Sequence, residues 1–281
     1  MIRMAFRIRV ALLLSAIPIS LQAQPVLLQI KPQIGDTLRV KLSQEVAMTG
    51  VPRGCGNPTT ALRAQPKPSV STCSDTRSMT TAMEVFSRAI ARRASTNATD
   101  ILAITDSVVT MVPGPNQKRT KQPTPRGPVE IRVSTDGTVE LGAGLANDEL
   151  RTLFGQMPAT LPKKAISPGE KWVHQMKIPL PNEPGAMGSV RTTLQLDSLS
   201  RNGDVAYISM HGVLSHDHSD GSTSETAGSL SGTMQLDRRL AWITETHATI
   251  DVQAVVKNST TGQPMDVHTH VVQSLKVTGS R

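Results

Sequence analysis

Aromatic side chains are nearly missing from this 281-residue chain, which has two Trp, one Tyr and three Phe. Base and sugar recognition usually rests on stacking platforms, so the excess of 30 Lys and Arg over 22 Asp and Glu lacks its usual companion. A specific nucleic-acid binder is therefore not expected. Long apolar runs are also missing: the run from Val10 to about Ile19 is roughly half of the ~20 residues that span a bilayer. There is no Gly-x-Ser-x-Gly elbow, His-Glu-x-x-His helix or phosphate-binding glycine loop. What the chain does have is aliphatic residues and Met, and an apolar share of 38% suffices for a folded core that is poor in rings.

Arg3, Arg7 and Arg9 precede the apolar run, Pro18 interrupts it, and Ser20-Leu21-Gln22-Ala23 supplies a small residue before Gln24. Residues 1–23 thus read as a secretory signal peptide, and no Cys follows the cleavage point to carry a lipid. Removing them leaves 27 basic against 22 acidic side chains, a formal charge of +5 on 258 residues. The expectation is an exported protein, periplasmic or extracellular, with no transmembrane segment in the mature chain. In an oxidising compartment Cys55 and Cys73 should form a disulfide that ties down a Pro-, Ser- and Thr-rich loop over 55–73. Closing such a loop is worth ~3 kcal/mol in unfolded-state entropy. A reactive or metal-binding thiol pair is the rival reading.

The chain is similar to itself once. Ile34-Gly35-Asp36-Thr37-Leu38 has a counterpart in Ile166-Ser167-Pro168-Gly169-Glu170-Lys171-Trp172, each a Gly-acid turn feeding a strand. After the first, Leu38, Val40 and Leu42 alternate with Arg39, Lys41 and Ser43, as in a strand with one wet face. Three hairpins are expected. In the first, Ser134 pairs with Thr138 across a three-residue loop with Gly137 left-handed, which puts Val129, Ile131, Val133, Val139 and Leu141 on one face. The second runs from Thr192 to Val213 around Asn202-Gly203, with Leu194, Leu196, Tyr207, Ile208 and Met210 as core candidates. The third joins Trp242–Val256 to Met265–Val277. Leu150, Leu153, Phe154 and Met157 fall at helical spacing between a cap at Asn147 or Asp148 and a stop at Pro158. Residues 81–93 fit either period and are read as a strand. The fold expected is mainly β: two similar antiparallel halves, 24–144 and 159–281, forming curved sheets, with one short helix over 145–158 between them.

The loop 113–128 holds five prolines and Lys118, Arg119, Lys121 and Arg126 without an acid, so it should stay extended and wet. Its charge could meet an anionic envelope polymer or lipid surface, or simply keep the loop solvated. The early apolar-Gly-Asp strand start and the central Pro-Gly-Glu-Lys-Trp element, Pro168 to Trp172, resemble those of a family of uncharacterised exported bacterial proteins, often lipid-anchored. The resemblance implies a mainly β envelope protein, carries no established activity, and departs from the anchored members at the missing cysteine.

Histidine is the only concentrated candidate chemistry. His216 and His218 flank Asp217, and His268 and His270 stand two apart on a predicted strand, on one face. Together they could offer four metal ligands. The stretch Asp217-His218-Ser219-Asp220-Gly221 fails as a calcium loop, because Ala227 falls where the bidentate Glu is needed. Gly228-Ser229-Leu230-Ser231-Gly232 has Leu where a nucleophilic elbow needs Ser. His174 and His211 are expected to be packed or half-exposed. A turn centred near Thr260-Thr261 sets Asp251 opposite His270 and Gln253 opposite His268, so a solvated face already accounts for this pair. No catalytic residue and no cofactor is predicted. The leading expectation is a non-enzymatic exported β-protein of the bacterial envelope that binds or scaffolds a partner; a metal-handling protein using His216, His218, His268 and His270 comes second, and a carrier of a lipophilic ligand third.

Overall fold

A computed structural model describes residues 24–53, 76–112, 118–124, 127–141, 161–179, 187–216, 226–257 and 263–280. The first part of the chain forms β1 (Thr37–Pro52), β2 (Arg77–Ala94), β3 (Ala98–Val112), β4 (Lys118–Gln122), β5 (Val129–Ser134) and β6 (Val139–Leu141). The second forms β7 (Lys171–Pro179), β8 (Met187–Leu199), β9 (Val205–His216), β10 (Thr226–Asp237), β11 (Trp242–Lys257) and β12 (Pro264–Ser280). The described residues contain strands and no helix, and the expected helix over 145–158 lies outside them.

The halves do not make separate sheets. The described strands all join one antiparallel sheet, not closed among the described residues, in the order β6-β5-β3-β2-β1-β12-β11-β10-β9-β8-β7, with β4 beside β3. The junction is β1 with β12, paired from Thr37↔Ser280 to Pro52↔Met265. Both strands alternate apolar and polar residues in matching phase, Leu38, Val40 and Leu42 with Gly279, Val277 and Leu275, so pairing them puts both apolar rows on the same face.

The two Gly-acid turns are built alike. Gly35 and Gly169 have φ of 91° and 90°. Their N–H groups donate to Ala91 and Leu196 on the next strand of each half, at 2.9 and 2.6 Å. The Asp36 and Glu170 N–H groups close the turns onto the Gln33 and Ser167 carbonyls. Each carboxylate then accepts from the backbone N–H three residues earlier, Gln33 to Asp36 and Ser167 to Glu170, both at 2.9 Å. Positive φ favours glycine, and the acid finishes the turn by satisfying an otherwise free donor.

Two sequence expectations need correction. Lys118–Gln122 is not loop but strand β4, paired from Val112↔Lys118 to Val108↔Gln122. The five residues lie between prolines and contain none, so every N–H can join the ladder, and Lys and Arg suit an edge. Tyr207 is exposed rather than in the core: strand alternation with Ile208 and Met210 turns it outward and buries Ala206 instead. The first and third hairpins pair as expected, with Ser134 N–H donating to Thr138 O at 2.8 Å, Gly137 at φ 89°, Val256↔Met265, Gln253↔His268 and Asp251↔His270.

Candidate functional site: an apolar cavity under the curled sheet

One face of the sheet carries Leu38, Leu42, Val85, Ile131, Leu194, Ile208, Met234, Ile243 and Leu275, all in one buried cluster. Strands far apart in the sheet order share that cluster, so the sheet curls with this face concave. Glycines allow the curl on one side. A Cβ on Gly232 would run into the His247 carbonyl oxygen and the Ala248 Cα, and one on Gly228 would stand 2.6 Å from the Asp251 carbonyl oxygen. Both glycines occupy concave-face positions of β10, where the backbone of β11 comes too close for a side chain.

One end of the curled sheet is shut. The segment 24–34 crosses it, pairing Val26 with Ile166, donating from Ile30 N–H to Thr135 O and from Lys31 N–H to Ala241 O, and burying Leu28 and Ile30. These bonds tie the segment to the β5–β6 turn, the β10–β11 turn and the approach to β7. The sheet's two edges also approach each other here, since Leu161 N–H donates to Asp136 O. His174 on β7 sits half-buried in this region, its pKa pushed below the ordinary histidine value by burial, with the Asp136 charge pulling the other way.

Inside this end lies a cavity of about 110 Å³. Its walls combine Val40 and Leu42 of β1, Ile131 and Val133 of β5, Met210, Met234, Trp242, Ala248 and Leu275. The polar residues at its wall are Ser87, Arg88, Thr246 and Gln273, and the Arg88 guanidinium is turned to Asp106 at 2.8–3.1 Å. Among the described residues no His, Cys, Asp, Glu or Lys lines it. Towards the other end the same concave face loses its cover and mixes aliphatic residues with Gln44, Gln273, Thr81, Thr110 and Thr269. Val46, Met83, Val108, Val252, Val267 and Val271 are half-buried, and Met48, Met79 and Val112 are exposed.

The convex face holds His211, His247, His268 and His270 together with the inter-strand ion pairs, whereas His174, opposite buried Thr192, takes the concave side. His270 Nδ1 is 2.7 Å from Asp251 Oδ1, and His268 Nε2 is 3.7 Å from the same oxygen. Both rings are about half-exposed, at 45% and 53%. His216 ends β9, separated from β12 by β10 and β11, and His218 lies outside the described residues. Among the described residues no group of three or more His, Cys, Asp or Glu is placed to hold a metal ion. His211 is exposed. Cys55, Cys73 and residues 1–23 lie outside the described residues. Glu84 anchors a small network on the same face, 2.7 Å from Lys41 and 2.9 Å from Arg119.

The cavity was missed in the sequence. Its signal was there in two places: the period-two burial of Leu28 and Ile30 before β1, and the glycines at apolar-face positions of β10.

A profile of a family of unknown function (DUF6263) matches residues 138–243, less than half of the chain. The matched stretch runs from β6 through β10 and includes the second Gly-acid turn. Over that stretch the chain is similar to an uncharacterised family. No curated protein matches it. No helix among the described residues is long and apolar enough to cross a membrane.

Proposed function

We propose that this is a non-enzymatic exported β-protein that holds a lipophilic molecule on the concave face of its sheet, with the tip of the ligand in the cavity at the shut end. One observation carries the reading: an apolar cavity walled by both halves of the chain opens onto an aliphatic, Met-bearing face whose cover thins towards the opposite end. An apolar space of this kind favours hydrocarbon over water, because water needs two or more polar partners and finds few here. Flexible Met side chains, Met48, Met79, Met83, Met210 and Met234, suit a ligand of variable shape. The face is also long enough for one acyl chain. Leu42 to Met48 spans about 20 Å of strand at ~3.4 Å per residue, against about 15 Å for one leaflet of a ~30 Å hydrocarbon core. The signal peptide read over 1–23 and the bridge expected between Cys55 and Cys73 belong to the same reading, that of an exported envelope protein.

The test is extraction of the purified full chain with organic solvent followed by mass spectrometry, and rebinding of a hydrophobic fluorescent probe to the stripped protein. Recovery of an acyl or isoprenoid compound in amounts close to the protein supports the function. Protein that carries no lipid and fails to bind the probe refutes it.

A further inference from the structure

If the concave face holds a lipophile, the charges around its open end decide which kind. Strand alternation assigns each side chain to a face. On β2 the concave positions are those of Val85, Met83, Thr81 and Met79, and the next of the series is Arg77, the first residue of the strand. On β4 the concave positions follow Val108 and Thr110 of β3, with Gln122 reaching Thr110 Oγ1 at 2.7 Å, and the last of that series is Lys118, opposite Val112. Two cations therefore stand at the uncovered end of the aliphatic face, beside Met79 and Val112. Both are exposed, and neither has an ion-pair partner among the described residues.

The acids are sorted the other way. Along the regular strands every Asp and Glu takes the convex face, Glu45, Glu84, Glu130, Glu245, Asp251 and Asp266 among them. The two acids at bulges, Asp106 and Asp197, are engaged there with Arg88 and Ser209. Among the described strand residues, the concave face thus grades from an apolar end to a rim whose charged side chains are Arg77 and Lys118. Long basic side chains suit such a rim, since their methylene stems extend the apolar surface while the charged head stays in water.

Resting on the function proposed above, we infer that the ligand is a single-chain anionic amphiphile of the fatty-acid type, its hydrocarbon tip in the cavity and its anionic head at the rim formed by Arg77 and Lys118. Charge complementarity selects the anion. The cavity selects one chain: at about 110 Å³ it is smaller than the ~150 Å³ apolar void that accepts a single benzene ring, so it takes one hydrocarbon tip and not two side by side.

The experiment titrates the stripped full chain with dodecanoate and, separately, with 1-dodecanol at pH 8, following tryptophan fluorescence, which Trp242 at the cavity wall reports, and native mass spectrometry. Wild type should bind both probes and dodecanoate more tightly, with that preference shrinking as salt is added. The variant Arg77→Gln with Lys118→Gln should lose about fivefold in dodecanoate affinity, the size expected of two screened surface charges, and bind dodecanol as wild type does. Both sites are exposed, so unchanged thermal unfolding checks that the fold is intact. Equal affinity of wild type for the two probes, or undiminished dodecanoate binding by the variant, overturns the anionic assignment while leaving the lipophile reading standing. Binding of neither probe overturns both.

Discussion

Filling the cavity should stabilise the empty protein and weaken ligand binding, two effects that rarely come together. An empty cavity of 110 Å³ costs about 2.6 kcal/mol at ~24 cal/mol per Å³. Ala248 is buried at 8% exposure on β11 and lines the cavity, so Ala248→Val adds two methyl groups inside it on a strand that favours β-branching. At ~0.8 kcal/mol per buried carbon the transfer gain is about 1.6 kcal/mol. After small packing strain a net gain of about 1 kcal/mol is expected, or roughly 2–4 °C in Tm for a domain of this size. Urea and thermal unfolding of stripped protein read the stability, and probe titration reads the affinity, which should fall at least about tenfold because a difference of ~1.4 kcal/mol is tenfold. A variant less stable than wild type by about 1 kcal/mol would show that the site is already filled and that the volume argument is wrong. A stabilised variant that binds the probe as before would show that the cavity is real but is not where the ligand sits.

Gly232→Ala should cost about 1–3 kcal/mol, because the added carbon meets backbone atoms of His247 and Ala248 that cannot rotate away; a neutral result in urea unfolding would mean that the strands are not this close. Glu84 is held below the ordinary carboxylate pKa, first by its hydrogen bond to Lys41 and then by the Lys41 and Arg119 charges, with burial opposing. A depressed pKa contributes stability above the unfolded value of ~4.3 that is lost as pH falls through the folded value, so Glu84→Gln should be less stable than wild type at pH 7 and converge with it below about pH 4. A gap that stays constant from pH 7 to pH 3 would refute this. Denatured exported protein should show no titratable thiol until reduced, and Cys55→Ser should lower stability by up to ~3 kcal/mol if the bridge to Cys73 forms.

Registers were more legible in the sequence than shape. The third hairpin could be placed residue by residue because two constraints agreed: Ile250, Val252 and Val256 set the phase of one strand, Met265, Val267 and Val271 that of the other, and a turn near Thr260 left one alignment that put both apolar rows on the same face. Tyr207 was misplaced because an aromatic residue was given a core position against the phase set by Ile208 and Met210. Lys118–Gln122 was misread because charge and neighbouring prolines outweighed the fact that the five residues contain no proline of their own. The pairing of β1 with β12 joins the two ends of the described chain, and nothing local in either strand announces a partner so distant. Alternation says which face a side chain takes, but not how far the sheet bends. That is why His268 and His270, which lie on a face, could be placed and the cavity, which depends on curvature, could not.

The two edges of the sheet bear on how its interior is reached. Closing the curl would require β6 to pair with β7, and among the described residues these two strands stand at opposite ends of the strand order and do not pair. Lys171 on β7 is exposed and suits a free edge. At the shut end the gap is bridged by other means: the crossing segment that buries Leu28 and Ile30, and the bond from Leu161 to the Asp136 carbonyl. Cover is therefore complete where the cavity lies and incomplete where Met48, Met79 and Val112 are exposed. A fully paired barrel of these strands would bury those residues and remove the entrance. Among the described residues the unpaired edges and the exposed Met48, Met79 and Val112 lie on the same sheet as the cavity, so one concave face is covered at one end and open at the other.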